Sequence, residues 1–141
     1  MKYLLVLLLS VCACTAMAQN PAACFYGTNT LQGKLIYKDL IHPVRLDTIK
    51  HALVFELPAS ILFKANSAGT GYEDSTTARY IRVYSDANGT TPAELRYKPL
   101  IGKPIAITAN YRCSPSMDYT LPVNINEDFK YKLIKQDKSR P

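Results

Sequence analysis

The chain has 141 residues, with seventeen basic and eleven acidic side chains and a formal net charge of +6. This length fits one domain with one core, and neither a linker nor an internal repeat indicates a second domain. Beyond the N-terminal segment, no apolar run is long enough to span a membrane. We therefore expect a single domain that is soluble or at most tethered to a membrane.

The first eighteen residues have the pattern of an export signal. Lys2 supplies a positive end, residues 3–11 form an apolar run, and residues 16–18 (Ala-Met-Ala) form a cleavage site. The run is too short to span a bilayer. The sequence therefore predicts a signal peptide over residues 1–18. The mature chain, residues 19–141, is predicted to be periplasmic or secreted, with sixteen basic residues against eleven acidic ones.

Cleavage of the signal decides which cysteines remain in the mature chain. Removal of the signal leaves Cys24 and Cys113 as the two cysteines of the mature chain, in an oxidising compartment, which predicts one disulfide between them. The bridge would close a loop of about ninety residues, worth about 4–5 kcal/mol by the chain-entropy estimate. A catalytic or metal-binding pair is the alternative, but neither cysteine has a CxxC partner or a nearby histidine. A lipid anchor on Cys12 or Cys14 is a second interpretation of the N-terminal segment.

Apolar and polar side chains alternate with a period of two along much of the mature chain. Such alternation is typical of strands with one buried and one solvated face. The candidate strands cover residues 31–38, 51–57, 81–84, 105–111, 121–125 and 129–134, the second of them ending at Pro58. Their number and short spacing predict a mostly β domain, a small antiparallel barrel or sandwich.

One short helix interrupts this pattern. Residues 88–89 (Asn-Gly) form a turn signal, and residues 91–94 (Thr-Pro-Ala-Glu) combine an N-cap threonine, a proline at the first helical position and a glutamate placed for a capping box. The sequence therefore predicts a helix over residues 92–97, ended by Pro99, before a late strand.

Residues 66–78 contain glycine, serine and threonine without an apolar period, which predicts a long loop. Tyr72, Glu73 and Asp74 lie in its middle and offer one aromatic ring and two carboxylates. Long loops in small domains often carry function. We therefore treat these three residues as a candidate contact site, although an ordinary solvated loop has the same composition.

Arg79, Arg82 and Tyr84 follow directly, with Tyr80 between them. Cations interleaved with aromatic rings can form a platform for single-stranded nucleic acid or another polyanion, because the rings stack on bases and the cations meet phosphates. Export makes nucleic acid a less available partner. Residues 130–140 form a basic C-terminal tail, in which lysines alternating with apolar residues favour a half-buried terminal strand.

Little in the sequence indicates chemistry. His42 and His51 match no ligand spacing, so we interpret them as surface histidines. No serine has a GxSxG context, and the two adjacent carboxylate pairs would point to opposite faces of a strand. The sequence predicts no catalytic residue, no metal site and no cofactor, and we expect the protein not to be an enzyme.

Four motifs resemble those of a family of short exported bacterial proteins of unknown function. They are LQGKL at residues 31–35, LVFELP at 53–58, YIRV at 80–83 and LIGKPIAI at 100–107. The resemblance implies an OB-like five-stranded barrel in which glycines relieve crowding where strands bend. It implies no activity. The chain departs from the family at residues 114–118, where a histidine-rich loop is replaced, so no metal role carries over.

These observations favour a non-catalytic exported binding module that contacts a protein or an envelope ligand. One version is an inhibitor or immunity-type protein that blocks an enzyme of the bacterial envelope. A domain that binds single-stranded nucleic acid or another polyanion is the first alternative, and a structural envelope component is the second. The identity of the ligand and the oligomeric state are left open.

Overall fold

The computed structural model describes residues 19–65, 75–85, 92–114 and 120–136. Within them lie a short helix, α1, and seven strands. The strands are β1 Ala23–Phe25, β2 Gly27–Ile41, β3 Thr48–Lys64, β4 Thr76–Tyr84, β5 Pro104–Cys113, β6 Val123–Asn126 and β7 Lys130–Leu133. Helix α1 (Ala93–Arg96) and a 3₁₀ turn (Lys98–Leu100) lie between β4 and β5. The predictions of a mostly β chain and of one short helix before a late strand are confirmed.

Five of the strands pair in a closed circuit. β2 pairs antiparallel with both β3 and β5, and β3 pairs antiparallel with β4. β4 pairs in parallel with β6, which pairs antiparallel with β5. The strand order around the circuit is therefore β2–β3–β4–β6–β5, returning to β2. β1 lies in parallel on β3, and β7 lies antiparallel on β5.

Gly33 lies where β2 changes partners. The N-terminal half of β2 pairs with β5 and its C-terminal half pairs with β3, with Lys34 in both registers. A Cβ atom on Gly33 would stand 2.2 Å from the carbonyl oxygen of Glu56 and 2.7 Å from the ring of Phe55. Because no side chain fits that space, glycine allows β2 and β3 to approach closely at this bend.

β3 is longer than the sequence predicts. The predicted strand ends at Pro58, but β3 continues to Lys64. Its register against β4 shifts between Glu56 and Ile61. Pro58 therefore lies in an irregular stretch of β3, where pairing with β4 does not need a backbone N–H donor. The proline marks a break in register and not the end of the strand.

The helix and the loop also have other boundaries than the sequence predicts. α1 begins at Ala93 with Pro92 as its N-cap and has no side-chain cap hydrogen bond, while Thr91 lies outside the described residues. Pro99 does not end the helical segment, because it lies within the 3₁₀ turn. Residues 76–78, predicted as the end of a loop, form the start of β4.

The main core lies inside the circuit. It contains fully buried side chains from every strand of the circuit, among them Leu35, Phe55, Ile81, Ile107 and Ile125. A second, smaller cluster is built from other residues of β2 and β3: Leu40, Ala52 and Val54, with Ile36, Ile49, Tyr80 and Leu121 packed against them. The domain therefore has apolar packing on both faces of β3. Val54 of the second cluster is in register with Arg82 of β4.

The predicted disulfide is not formed in this structure, where Cys24 and Cys113 are both free. Each sulfur is half-buried and packs against the main core as a small apolar group would. Burial raises the pKa of the Cys24 thiol, and the Cys113 thiol lies 3.7 Å from the carbonyl oxygen of Ser114. Both thiols are thus accommodated without a covalent bond.

The C-terminal strand differs from its prediction. All four residues of β7 are exposed, so the expected half-buried pattern is wrong. Only the preceding Phe129 is buried, at 7% exposure, and its ring stacks on Tyr97 with centroids 4.6 Å apart. Within the described residues, no helix has the length and hydropathy needed to cross a membrane.

Candidate functional site

The predicted binding residues divide into two groups. Tyr72, Glu73 and Asp74 lie outside the described residues. Arg79, Arg82 and Tyr84 all lie on β4. β4 is the strand between β3 and β6 in the circuit, so side chains that point outward from it share a continuous face with both neighbours.

Alternation along β4 decides which side chains reach that face. Ile81 and Val83 are buried in the main core. Since successive side chains of a strand point to opposite faces, Arg82 and Tyr84 point outward. We call the outward side of β4 and of the neighbouring residues of β2, β3, β5 and β6 the outer face.

Arg79 lies at one end of the outer face and already has a partner. Its Nη2 atom is 3.2 Å from Oε1 of Glu56, in an ion pair whose side chains are 47% and 26% exposed. Its guanidinium carbon also lies 5.8 Å from the centroid of the Tyr80 ring, and Nζ of Lys38 lies 4.7 Å from that centroid. Two cations thus contact one tyrosine ring.

A cleft of about 440 Å³ adjoins Arg79. Its lining is mainly apolar and includes Leu57, Pro58 and Ile134, together with the Arg79–Glu56 ion pair. The cleft lies at the stretch where the register of β3 against β4 shifts. It gives Arg79 access to a ligand-sized space, but the cation there is neutralised by Glu56.

Arg82 is in a different environment from Arg79. The residue is only 9% exposed, and among the described residues neither Nε nor Nη1 has a hydrogen-bond partner. The guanidinium carbon lies 5.4 Å from the centroid of the Tyr84 ring. Burial lowers the pKa of Arg82, while Tyr84 and the carboxylate of Glu94 act in the opposite direction. Arg82 is therefore a buried cation with incomplete hydrogen bonding.

Arg82 belongs to a row of three polar residues on adjacent strands. Asn124 of β6 is in register with Arg82 of β4 on one side and with Arg112 of β5 on the other. Neighbouring strands are about 4.8 Å apart, so the α-carbons of the two arginines are about 10 Å apart. We call Arg82, Asn124 and Arg112 the arginine row.

The other two members of the row are held in place by side-chain hydrogen bonds. Nδ2 of Asn124 donates to Oγ of Ser114 at 2.9 Å, and both residues are buried. Nη2 of Arg112 donates to Oδ1 of Asn126 at 2.5 Å on the exposed surface. The row therefore combines one buried guanidinium, one buried amide and one exposed guanidinium, a set suited to an oxyanion.

Sequence reasoning found Arg82 and Tyr84 but missed three contributors to the outer face. Lys38, Arg112 and Asn124 lie on three other strands and only pairing brings them to β4. The outward position of Arg112 follows from its alternation with buried Tyr111. The outward position of Asn124 follows in the same way from its alternation with buried Val123 and Ile125, but its burial on that face had no sequence signal.

The interpretation of His42 and His51 as surface histidines is wrong for His42. His51 is exposed, but His42 is buried at 8% exposure. The Nδ1 atom of His42 accepts hydrogen bonds from the backbone N–H groups of Val44 and Arg45 at 3.3 and 3.1 Å. His42 thus organises the β2–β3 turn. That turn exposes Ile41, Val44 and Leu46 to solvent.

Within the described residues, no group of three or more His, Cys, Asp or Glu side chains could hold a metal ion. Comparisons with protein-family models, with curated proteins and with solved structures find no match to this chain.

Proposed function

We propose that this chain is an exported, non-catalytic binding module built on an OB-like barrel. The OB-like assignment is supported by the closed circuit of five strands and by the position of α1 between β4 and β5. It is also supported by the resemblance of the LQGKL motif, whose Gly33 permits the close approach of β2 and β3. The module acts in the periplasm or outside the cell once residues 1–18 are removed.

A disulfide between Cys24 and Cys113 forms after export. Both residues pack against the same core cluster. Cys24 is in register with Phe63, whose ring stacks on Tyr111, two residues before Cys113. Mass spectrometry of the exported protein, before and after reduction, tests this: the oxidised form is lighter by two hydrogen atoms and resists thiol alkylation. Free thiols in protein taken directly from the periplasm would contradict it.

The outer face is the binding surface, and Arg82 is the observation that carries this proposal. A buried polar atom without a hydrogen bond costs free energy, so such groups call for an explanation such as a bound ion, water or ligand. Asn124 is in register with both Arg82 and Arg112 on the adjacent strands, so the exposed guanidinium of Arg112 can bind an anion that approaches this part of the outer face. The proposed target is a protein or envelope ligand that presents an anionic group.

One concrete version of this function is inhibition of, or immunity to, an enzyme of the envelope. A small rigid domain suits that task because little conformational freedom is lost on binding. The apolar side chains at the turn near His42 would add a second contact to such a target.

The test is capture of partners from envelope extract by the immobilised mature chain. Wild type is compared with Arg82→Gln, which removes the buried cation, and with Lys132→Ala, which removes an exposed cation on β7. The proposal expects a partner that wild type and Lys132→Ala capture equally and Arg82→Gln does not. Equal capture by all three proteins would mean that Arg82 and the outer face around it take no part in binding the partner.

Binding of single-stranded nucleic acid or another polyanion is the second candidate. It is supported by the cations that lie over the tyrosine rings of the outer face: Lys38 and Arg79 at Tyr80, and Arg82 at Tyr84. Affinity for an oligonucleotide would then fall steeply with salt, and Arg79→Ala would reduce the slope by about one unit. A weak salt dependence would exclude this candidate.

A further inference from the structure

Apolar side chains stand in solvent at the end of the hairpin that joins β2 to β3. Among the described residues, neither β4 nor β5 pairs with this end, and its two strands pair only with each other, as far as Ile41 and Thr48. We call residues 41–48 the hairpin tip. The side chains of Ile41, Val44 and Leu46 are between 64% and 75% exposed. Large apolar side chains clustered in solvent indicate a surface that contacts a partner.

The hairpin tip is held in one shape by its own backbone. The N–H group of His42 donates to the carbonyl oxygen of Asp47, and the N–H group of Leu46 donates to the carbonyl oxygen of His42, both at 2.9 Å. Leu46 has a φ of 56°, in the left-handed region that favours glycine or asparagine. A leucine in this conformation costs free energy, and its exposed side chain contributes little packing. The fold therefore does not explain why leucine stands there.

The charges of the hairpin leave one lysine free behind the tip. Asp47 pairs with Arg45 at 3.3 Å, and Asp39 accepts a backbone N–H bond. Lys38 lies over an aromatic ring of the outer face. Lys50 is exposed, and within the part of the chain that the structure describes it has no ion pair. It lies two residues behind the end of the ladder, which places its α-carbon about 7 Å along the strand from the tip.

A bilayer surface fits the hairpin tip better than a protein does. Stable protein interfaces take about 20–30 residues from each side, whereas the tip is a single short turn. Apolar groups of a peripheral membrane protein enter about 5–10 Å into the boundary between headgroups and acyl chains. At that depth Lys50 stands at the level of the headgroup phosphates. A lysine near an anionic lipid surface strengthens binding, and the excess of basic over acidic residues in the chain acts in the same direction.

We infer that the hairpin tip binds the surface of a bilayer that contains anionic lipid. Ile41, Val44 and Leu46 insert between the headgroups, and Lys50 contacts their phosphates. This inference goes beyond the proposed function, because the tip is a different surface from the arginine row that serves the partner. A protein target that contacts the same tip is the alternative that the experiment must separate.

The first experiment sediments the mature chain with vesicles of phosphatidylcholine alone and of phosphatidylcholine with one third phosphatidylglycerol. We expect saturable binding to the anionic vesicles and weaker binding to the neutral ones. Leu46→Asn should weaken binding by about tenfold. Because asparagine tolerates a positive φ, its urea midpoint should not fall below that of wild type. The control Leu95→Gln removes a leucine of similar exposure, 62%, from α1, and should leave the affinity unchanged.

Charge and insertion are measured separately. Lys50→Gln should weaken binding to the anionic vesicles by about fivefold, whereas Lys132→Gln on β7 should have little effect. The chain contains no tryptophan, so Val44→Trp places a single fluorophore in the tip. Its emission should shift to shorter wavelength when anionic vesicles are added, and the emission of Leu95→Trp should not.

Three results would overturn the inference. The first is no sedimentation with either vesicle. The second is equal weakening by Leu46→Asn and Leu95→Gln, or an unshifted Val44→Trp emission, which would leave only general charge attraction. The third is a Leu46→Asn protein that binds vesicles normally but loses the partner captured from envelope extract, which would assign the tip to the protein interface. Arg82→Gln should bind vesicles like wild type, so failure of the membrane contact and failure of the proposed function are measured independently.

Discussion

Replacing Arg82 by methionine should make the free protein more stable. Methionine is unbranched and flexible, so it can fill the space of the arginine side chain without a charge. Two nitrogens of Arg82 lack partners among the described residues, and each unpaired buried donor costs about 1–3 kcal/mol. Loss of the contact with the Tyr84 ring removes about 0.5–2 kcal/mol. The two donors together cost about 2–6 kcal/mol, so the expected net gain in the free energy of unfolding is about 0–5.5 kcal/mol, which includes the gain of about 1–4 kcal/mol seen when buried charges become apolar.

The assay is equilibrium unfolding of the mature chain in urea, with the midpoint and the slope fitted together. A rise in midpoint at constant slope reports a change in stability, and each kcal/mol corresponds to about 3–5 °C in Tm for a domain of this size. Arg79→Met is the matched control on the same strand. Its ion pair with Glu56 is partly exposed, so its loss should cost no more than about 1 kcal/mol.

A free energy of unfolding of Arg82→Met that lies below that of wild type would refute this prediction. That result would mean that Arg82 has partners which hold the fold together. Stabilisation accompanied by loss of anion binding would instead show that Arg82 is retained for recognition at a cost in stability.

Two further changes test the fold and its ionisation. Gly33→Ala should cost about 3 kcal/mol or more, because its Cβ would meet the Glu56 carbonyl oxygen at 2.2 Å; a thermal midpoint within a degree or so of wild type would contradict the close approach. Burial raises the pKa of the Tyr111 phenol far above its ordinary value. The unfolded chain therefore loses this proton first, and stability should fall as the pH rises above about 10. Tyr111→Phe should cost about 1 kcal/mol at neutral pH, through loss of the bond to the Ile107 carbonyl, and should flatten the alkaline fall. If the urea midpoint of Tyr111→Phe falls with rising pH as steeply as that of wild type, groups other than Tyr111 cause the alkaline loss of stability.

The β-rich fold could be predicted because alternation is a local signal. Leu35 and Ile107 each stand in a run with period two, and both face the core. The prediction that the strand ends at Pro58 was wrong, because the sequence around a proline looks the same whether the proline lies within an irregular stretch of a strand or at its end. The difference depends on the register between β3 and β4, which is set by pairing with residues about twenty positions away.

The candidate site was predicted in part for the same reason. Arg82 and Tyr84 are neighbours in sequence, so their shared face follows from alternation. The burial of Arg82 could not be predicted, because it depends on Val54 and Asn124 on adjacent strands. The buried position of His42 depends on backbone N–H groups of its own turn, which have no side-chain signal.

The central claim is that the outer face of β4 contacts a partner in the envelope. Site-specific photo-crosslinking in intact cells tests it most directly, with the photoreactive residue placed at Tyr84 in one protein and at Lys132 in another. The account predicts a discrete crosslinked product from position 84 that disappears when Arg82→Gln is added, and none from position 132. A product from position 132, or none from position 84 in a protein that is exported and folded, would contradict it.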